Sequence, residues 1–113
     1  MDITTGNTSG RDELRTYLGG GAAGSDAELQ AAWDTAVDAT YRWIRDDYRT
    51  DAPAGVLEYV LVVAATVYRI RDSAGEVTVL PDGSLSAPGS IQSALYKYRH
   101  LGGLYVRTPR VIA

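Results

Sequence analysis

The chain has 113 residues, of which 45% are hydrophobic and 22% charged, with no cysteine and a formal net charge of −3. That is the composition of one ordinary globular domain, large enough to bury about two-thirds of its unfolded surface. Lack of cysteine excludes disulfides, thiolate metal sites and a cysteine nucleophile, and the polar N-terminus predicts neither signal peptide nor anchor, so an intracellular protein is expected.

Taken in order, residues 1–10 are polar and aperiodic and read as a flexible N-terminal arm. Arg11 to Leu18 predicts a short helix with Ser9 as N-cap and Leu14 and Leu18 on one side, ended by Gly19-Gly20-Gly21. That glycine run is a link and not a phosphate loop, because the Lys-Ser/Thr of a P-loop is missing. Ser25 with Glu28 forms a capping box, and Asp26 adds charge where the helix dipole favours it. Leu29, Trp33, Ala36, Val37, Thr40, Tyr41, Ile44 and Tyr48 then recur at helical spacing, predicting a second helix to Arg49, about 35 Å long. Its opposite face, Asp34, Asp38, Arg42, Arg45 and Arg49, reads as solvated or as a subunit contact.

Asp51 and Pro53 introduce the most informative stretch, Ala54 to Asp72. Val56, Val60, Val63, Val67 and Ile70 make one helical stripe, and Leu57, Leu61, Ala64 and Tyr68 make another beside it. Two adjacent apolar stripes are wider than a surface helix carries, so a central helix enclosed by protein is predicted. The valines favour strand, but buried strands run to about 4–8 residues and this pattern is far longer. Its strictly apolar core, Tyr59 to Tyr68, is about half the roughly 20 residues that a bilayer requires.

After Asp72 the period changes. Glu76-Val77-Thr78-Val79-Leu80 and Ser84-Leu85-Ser86 flank Pro81-Asp82-Gly83, which predicts a small β-hairpin or ordered loop over about 75–89. Pro88-Gly89-Ser90 opens a last helix with Ile91, Ala94, Leu95, Tyr98 and Leu101 facing the core, and Gly102-Gly103 stops it. Residues 102–113 read as an extended, apolar and basic C-terminal tail that docks on another surface. The outline is all-α: a four-helix bundle-like domain with a long central apolar helix, a hairpin or loop between the last two helices, and an extended tail.

Charge is unevenly placed. Residues 1–58 hold 11 acids and 5 bases, net −6, whereas residues 59–113 hold 3 acids and 6 bases, net +3. Such a split favours a partner that meets one end of the chain.

No catalytic constellation emerges. The single histidine, His100, has no second imidazole or thiolate to share a metal, and Asp12-Glu13 and Asp46-Asp47 are sequence neighbours whose side chains diverge on a helix. The expectation is no enzyme, no cofactor and no metal. Tyr96-Lys97-Tyr98-Arg99-His100 and Tyr105-Val106-Arg107 interleave aromatic and basic side chains, the composition that stacks on a nucleic-acid strand. The acidic pI of about 5.0 stands against a dedicated DNA binder.

The helical order has a counterpart. A short helix like Asp12 to Leu18 precedes an amphipathic helix, Ser25 to Arg49, with a Trp/Tyr/Ile end. A proline-led apolar helix then ends in Val62-Val63-Ala64-Ala65-Thr66-Val67-Tyr68-Arg69-Ile70-Arg71-Asp72, and a closing helix follows, Ile91-Gln92-Ser93-Ala94-Leu95-Tyr96-Lys97-Tyr98-Arg99. This resembles the head–tail connector (adaptor) proteins of long-tailed bacteriophages over residues 11–101. The 75–89 segment and the tail past Gly103 lie outside the matching part.

The resemblance implies a structural subunit of the virion neck, assembled in the host cytoplasm as a dodecameric ring. Such a ring docks beneath the portal protein, receives the next connector or stopper protein, and extends a channel that genomic DNA passes without sequence-specific binding. It implies no membrane partner. An acidic half would keep phosphate backbone from sticking. Tyr105, Val106, Arg107, Arg110, Val111 and Ile112 are the implied portal-docking residues, and Tyr59, Val62, Val77, Val79 and Leu85 the implied subunit interface. A different reading of the same residues is a small helical DNA-binding regulator or antitoxin-like module that uses the basic, Tyr-rich end.

Overall fold

The computed structural model describes residues 1–20, 24–72, 78, 79, 85, 86 and 91–107. These are mostly helical, with α1 at Thr8–Tyr17, α2 at Asp26–Thr40, α3 at Ala54–Asp72 and α4 at Ile91–Lys97. A 3-10 turn at Asp46–Tyr48 precedes α3, and a 3-10 segment at Arg99–Tyr105 follows α4. Two-residue strands β1 (Thr78–Val79) and β2 (Leu85–Ser86) pair antiparallel, with Thr78 opposite Ser86 and Val79 opposite Leu85. The rest of the 75–89 segment, Val77 and the Pro81-Asp82-Gly83 turn included, lies outside the described residues.

Burial explains why α3 is the centre. Val56, Tyr59, Val60, Val63, Ala64 and Ala65 have no exposed surface at all, and the helix packs against α1, α2, α4 and the last 3-10 segment. Leu14 from α1, Leu29, Trp33, Ala36 and Val37 from α2, and Leu95 from α4 complete one core with it. Each fully buried aliphatic or aromatic side chain contributes about 1.5–3 kcal/mol. With Val62 only 9% exposed, the valine-rich sequence is satisfied by contact on nearly every side.

The start of α2 is capped as its sequence predicts, with Ser25 Oγ accepting from the Glu28 N–H at 3.3 Å. For α1 the cap is Asn7 and not Ser9: the Asn7 side chain accepts from the Ser9 and Gly10 N–H groups at 3.0 and 3.4 Å. Starting earlier, α1 turns Gly10 onto α2, where an added Cβ would lie inside the Trp33 indole.

Three other expectations are corrected. Residues 1–6 are not a free arm. Ile3 is buried and donates its N–H to Arg49 O at 2.7 Å, while Met1 O accepts from Ala52 N–H at 3.0 Å. Trp33 Nε1 donates to Thr4 O at 2.9 Å, and Asp34 accepts from the Gly6 N–H at 2.8 Å. One isoleucine and several backbone hydrogen bonds leave no periodic trace in sequence.

The second helix stops at Thr40 and does not reach Arg49. The Thr40 hydroxyl donates back to Ala36 O at 2.7 Å and Val37 O at 3.2 Å, the local bonding by which threonine loosens a helix. Beyond it the backbone finds better partners elsewhere. Arg107 N–H donates to Trp43 O at 2.8 Å, Arg45 N–H donates to Tyr105 O at 3.2 Å, and Ile44 and Val106 form an antiparallel bridge. Tertiary pairing has overridden an unbroken helical pattern.

The same bridge corrects the tail. Residues 102–105 lie in a 3-10 segment that is kinked at Gly103, whose own backbone is not helical, and not in an extended strand, and Val106 is buried in the chain's own core.

Candidate interaction surface

The bridge creates one edge from two segments about sixty residues apart in sequence. Trp43-Ile44-Arg45 and Tyr105-Val106-Arg107 share an aromatic–aliphatic–arginine pattern. In each triplet the middle aliphatic enters the core, since Ile44 and Val106 are both buried. Tyr48 and Tyr105 meet beside the bridge with ring centroids 4.4 Å apart and planes tilted by 54°.

Arg49 fixes the segment that leads into this edge. Its Nη2 donates to the carbonyls of Tyr41 and of Ile44, the latter at 3.2 Å, and pairs with Asp46 at 3.0 Å. The guanidinium carbon also stands 3.7 Å from the centroid of the Tyr41 ring. One planar cation thus satisfies two carbonyls that α2 would have bonded had it continued.

Around the bridge the surface is basic and aromatic. Arg42, Arg45 and Arg107 are exposed, and none has a side-chain partner among the described residues. Tyr41 is also exposed, and Leu104 is 89% exposed. Where α4 gives way to the last 3-10 segment, Arg99 stacks 3.9 Å from the Tyr96 ring centroid and Lys97 lies 5.3 Å from that of Tyr98. His100 places Nδ1 3.2 Å from Lys97 O. Among the described residues no group of three or more His, Cys, Asp or Glu side chains is arranged to hold a metal ion, and no helix is long and apolar enough to cross a membrane.

Among the residues singled out from sequence, Tyr105 is half-buried against Tyr48, Val106 is buried, and Arg107 is exposed with its N–H anchored on Trp43. Arg110, Val111 and Ile112 lie outside the described residues, as does Val77. Val79 and Leu85 are register partners of β1 and β2. Tyr59 offers no surface to a neighbour: it is 0% exposed, and its hydroxyl donates to Leu95 O at 2.6 Å. Burial pushes that phenol well above its ordinary value, and the positive charge of Arg99 offsets part of the shift. Sequence reasoning missed Ile44, Tyr48, Arg49 and Leu104. The matching triplets around Ile44 and Val106 were the available signal.

No protein-family model matches the chain, and neither a curated protein nor a solved structure matches it.

Proposed function

We propose that the chain is a structural subunit of a phage neck, forming a ring beneath the portal that joins head to tail and extends the DNA channel. The finer architecture belongs to this reading: a four-helix bundle-like domain around α3, with the hairpin between α3 and α4 available to a neighbouring subunit. Val77, Val79 and Leu85 remain its interface candidates, and Tyr59 and Val62 are withdrawn because both are buried within their own chain.

The observation that carries the reading is the way the chain's last described residues are held. Val106 is bridged to Ile44 and Arg107 is anchored on Trp43, so the apolar and basic residues that follow start from a defined edge of a helical domain. A docking segment that starts from a fixed point loses less freedom on binding than one on a loose linker. Tyr105 and Val106 act as its anchor, which leaves Arg107, Arg110, Val111 and Ile112 as the portal-facing residues.

The test is a stop codon after Arg107, which spares the bridge. Helicity and melting temperature should be unchanged and binding to the portal lost. Undiminished portal binding by the shortened chain would rule out the tail as the docking element.

The clustering of Arg42, Arg45 and Arg107 beside Tyr41 and Tyr105 is the observation that favours the DNA-binding regulator. That reading requires duplex affinity that falls steeply with salt. Affinity that is weak and insensitive to salt counts against it.

A further inference from the structure

Residues 26–49 contain neither glycine nor proline, and the helical period of Leu29, Trp33 and Val37 continues through Tyr41, Ile44 and Tyr48. The backbone is helical on both sides of the point where α2 gives out. Tyr41 keeps helical angles, at φ −51° and ψ −45°, and Ile44 N–H still donates to Thr40 O at 3.1 Å, a full α-helical step. Further on, Tyr48 N–H donates to Arg45 O at 2.9 Å and Arg49 N–H to Asp46 O at 3.3 Å. Arg49 is helical again, at φ −87° and ψ −28°. Between the two sides lie Ile44, the bridge residue, and Arg45, extended at φ −63° and ψ 137°. The interruption is centred on these two residues.

Three helical bonds lost there have specific substitutes. An unbroken α2 would send Arg45 N–H to Tyr41 O, Asp47 N–H to Trp43 O and Tyr48 N–H to Ile44 O. Instead the Arg49 guanidinium donates to Tyr41 O and Ile44 O, and Arg107 N–H donates to Trp43 O at 2.8 Å. Arg45 N–H turns to Tyr105 O at 3.2 Å. The same carbonyls thus have two sets of donors, and each set satisfies them. Burial of Trp43, Ile44 and Val106 favours the short helix. The helix dipole favours a long one. As it stands, α2 has Asp26 and Glu28 in its first turn and no base in its last, and continuation to Arg49 would add Arg45 and Arg49 there.

We propose that residues 41–49 are a two-state element, paired with Tyr105 to Arg107 in the form described and converted into a continuation of α2 when those residues leave. The long form adds nine residues to α2, about 14 Å along its axis. It also parts Arg45 from Arg107, which the bridge holds on one edge. A ligand of that basic edge therefore holds the short form, and a partner that draws Tyr105 to Arg107 away drives the long one. By linkage each opposes the other to the same extent. The switch stands on the backbone bonding and not on the neck reading.

The test is backbone NMR of the full chain. Val106→Asp with Arg107→Pro releases the tail, because a carboxylate is expelled from the buried site and proline lacks the N–H that Trp43 O accepts. Val106 is already extended, at φ −117° and ψ 133°, as the residue before a proline must be, so the backbone is not strained. The Cα shifts of residues 41–49 should become helical while those of α3 stay in place, and circular dichroism should gain nine helical residues. Adding Asp46→Pro should cancel that gain. Proline is accepted where Asp46 opens its 3-10 turn, but it breaks a helix that runs through the same position. In the otherwise unchanged chain Asp46→Pro should leave the melting temperature nearly as it was. Arg107→Pro alone gives up a single hydrogen bond and should raise the helical population of residues 41–49 about fivefold, read by relaxation dispersion. That variant decides the matter should the double variant also disturb α3. Random-coil shifts over residues 41–49 in the released chain, or shifts unchanged from those of the short form, overturn the switch. So does a helical gain that survives Asp46→Pro.

Discussion

Helix α3 and the connector from Tyr41 to Thr50 are held by different forces. In α3 the side chains do the holding: Val56, Tyr59, Val60 and Val63 are wholly buried, and the backbone bonds are internal to the helix. In the connector the backbone and one cation do it. Ile3, Arg45 and Arg107 exchange main-chain hydrogen bonds with partners on distant segments, and Arg49 ties down Tyr41, Ile44 and Asp46. Local pattern makes the first element, and tertiary pairing makes the second. Damage to α3 should therefore be global, and damage to the connector local.

The largest effect should come from Val60→Asp, which places an unpaired carboxylate in a fully enclosed site. A loss of about 4 kcal/mol is expected, enough to unfold much of a marginally stable domain. Urea titration followed by circular dichroism measures it. A loss below about 1 kcal/mol would mean that α3 is less enclosed than its burial implies.

Arg49→Ala should cost about 1–3 kcal/mol, because the carbonyls of Tyr41 and Ile44 lose their donor. Its location matters more than its size. Hydrogen exchange should quicken at the amides of Ile3, Arg45 and Arg107, while those of α3 keep their protection. Equal loss of protection in α3 would erase the distinction between the two regions.

The smallest effect lies inside the core. Tyr59→Phe should cost about 1 kcal/mol, since Leu95 O is left without its hydroxyl donor. Because burial raises the Tyr59 phenol, the folded chain keeps this proton after the unfolded chain has released it. Its stabilisation is fully present below the ordinary value near 10 and is lost as pH rises above it, at about 1.4 kcal/mol per pH unit. The phenylalanine variant should show an alkaline slope shallower by one proton, and an unaltered slope would contradict the assignment.

The contrast also explains what was legible in the sequence. The ends of α3, Ala54 and Asp72, coincide with those of the apolar pattern, because a helix that buries its own stripes writes them at helical spacing. The capping box at Ser25 is equally local. The stop at Thr40 was not legible, since Tyr41, Ile44 and Tyr48 continue the helical period and the competing partner lies at Tyr105 to Arg107. The order in residues 1–6 was hidden for a similar reason: Ile3 aside, it depends on main-chain groups that every residue carries. At the candidate surface, composition identified Tyr105 and Arg107. It did not reveal that Val106 anchors this edge to Ile44, or that Leu104 is the apolar side chain left outside.

The most direct measurement is native mass spectrometry of the full chain, alone and then with the portal protein that the proposed function requires. The structural reading predicts a closed ring, or a monomer that becomes a stoichiometric ring on the portal. A stable dimer that ignores the portal and binds duplex DNA with steep salt dependence would contradict it.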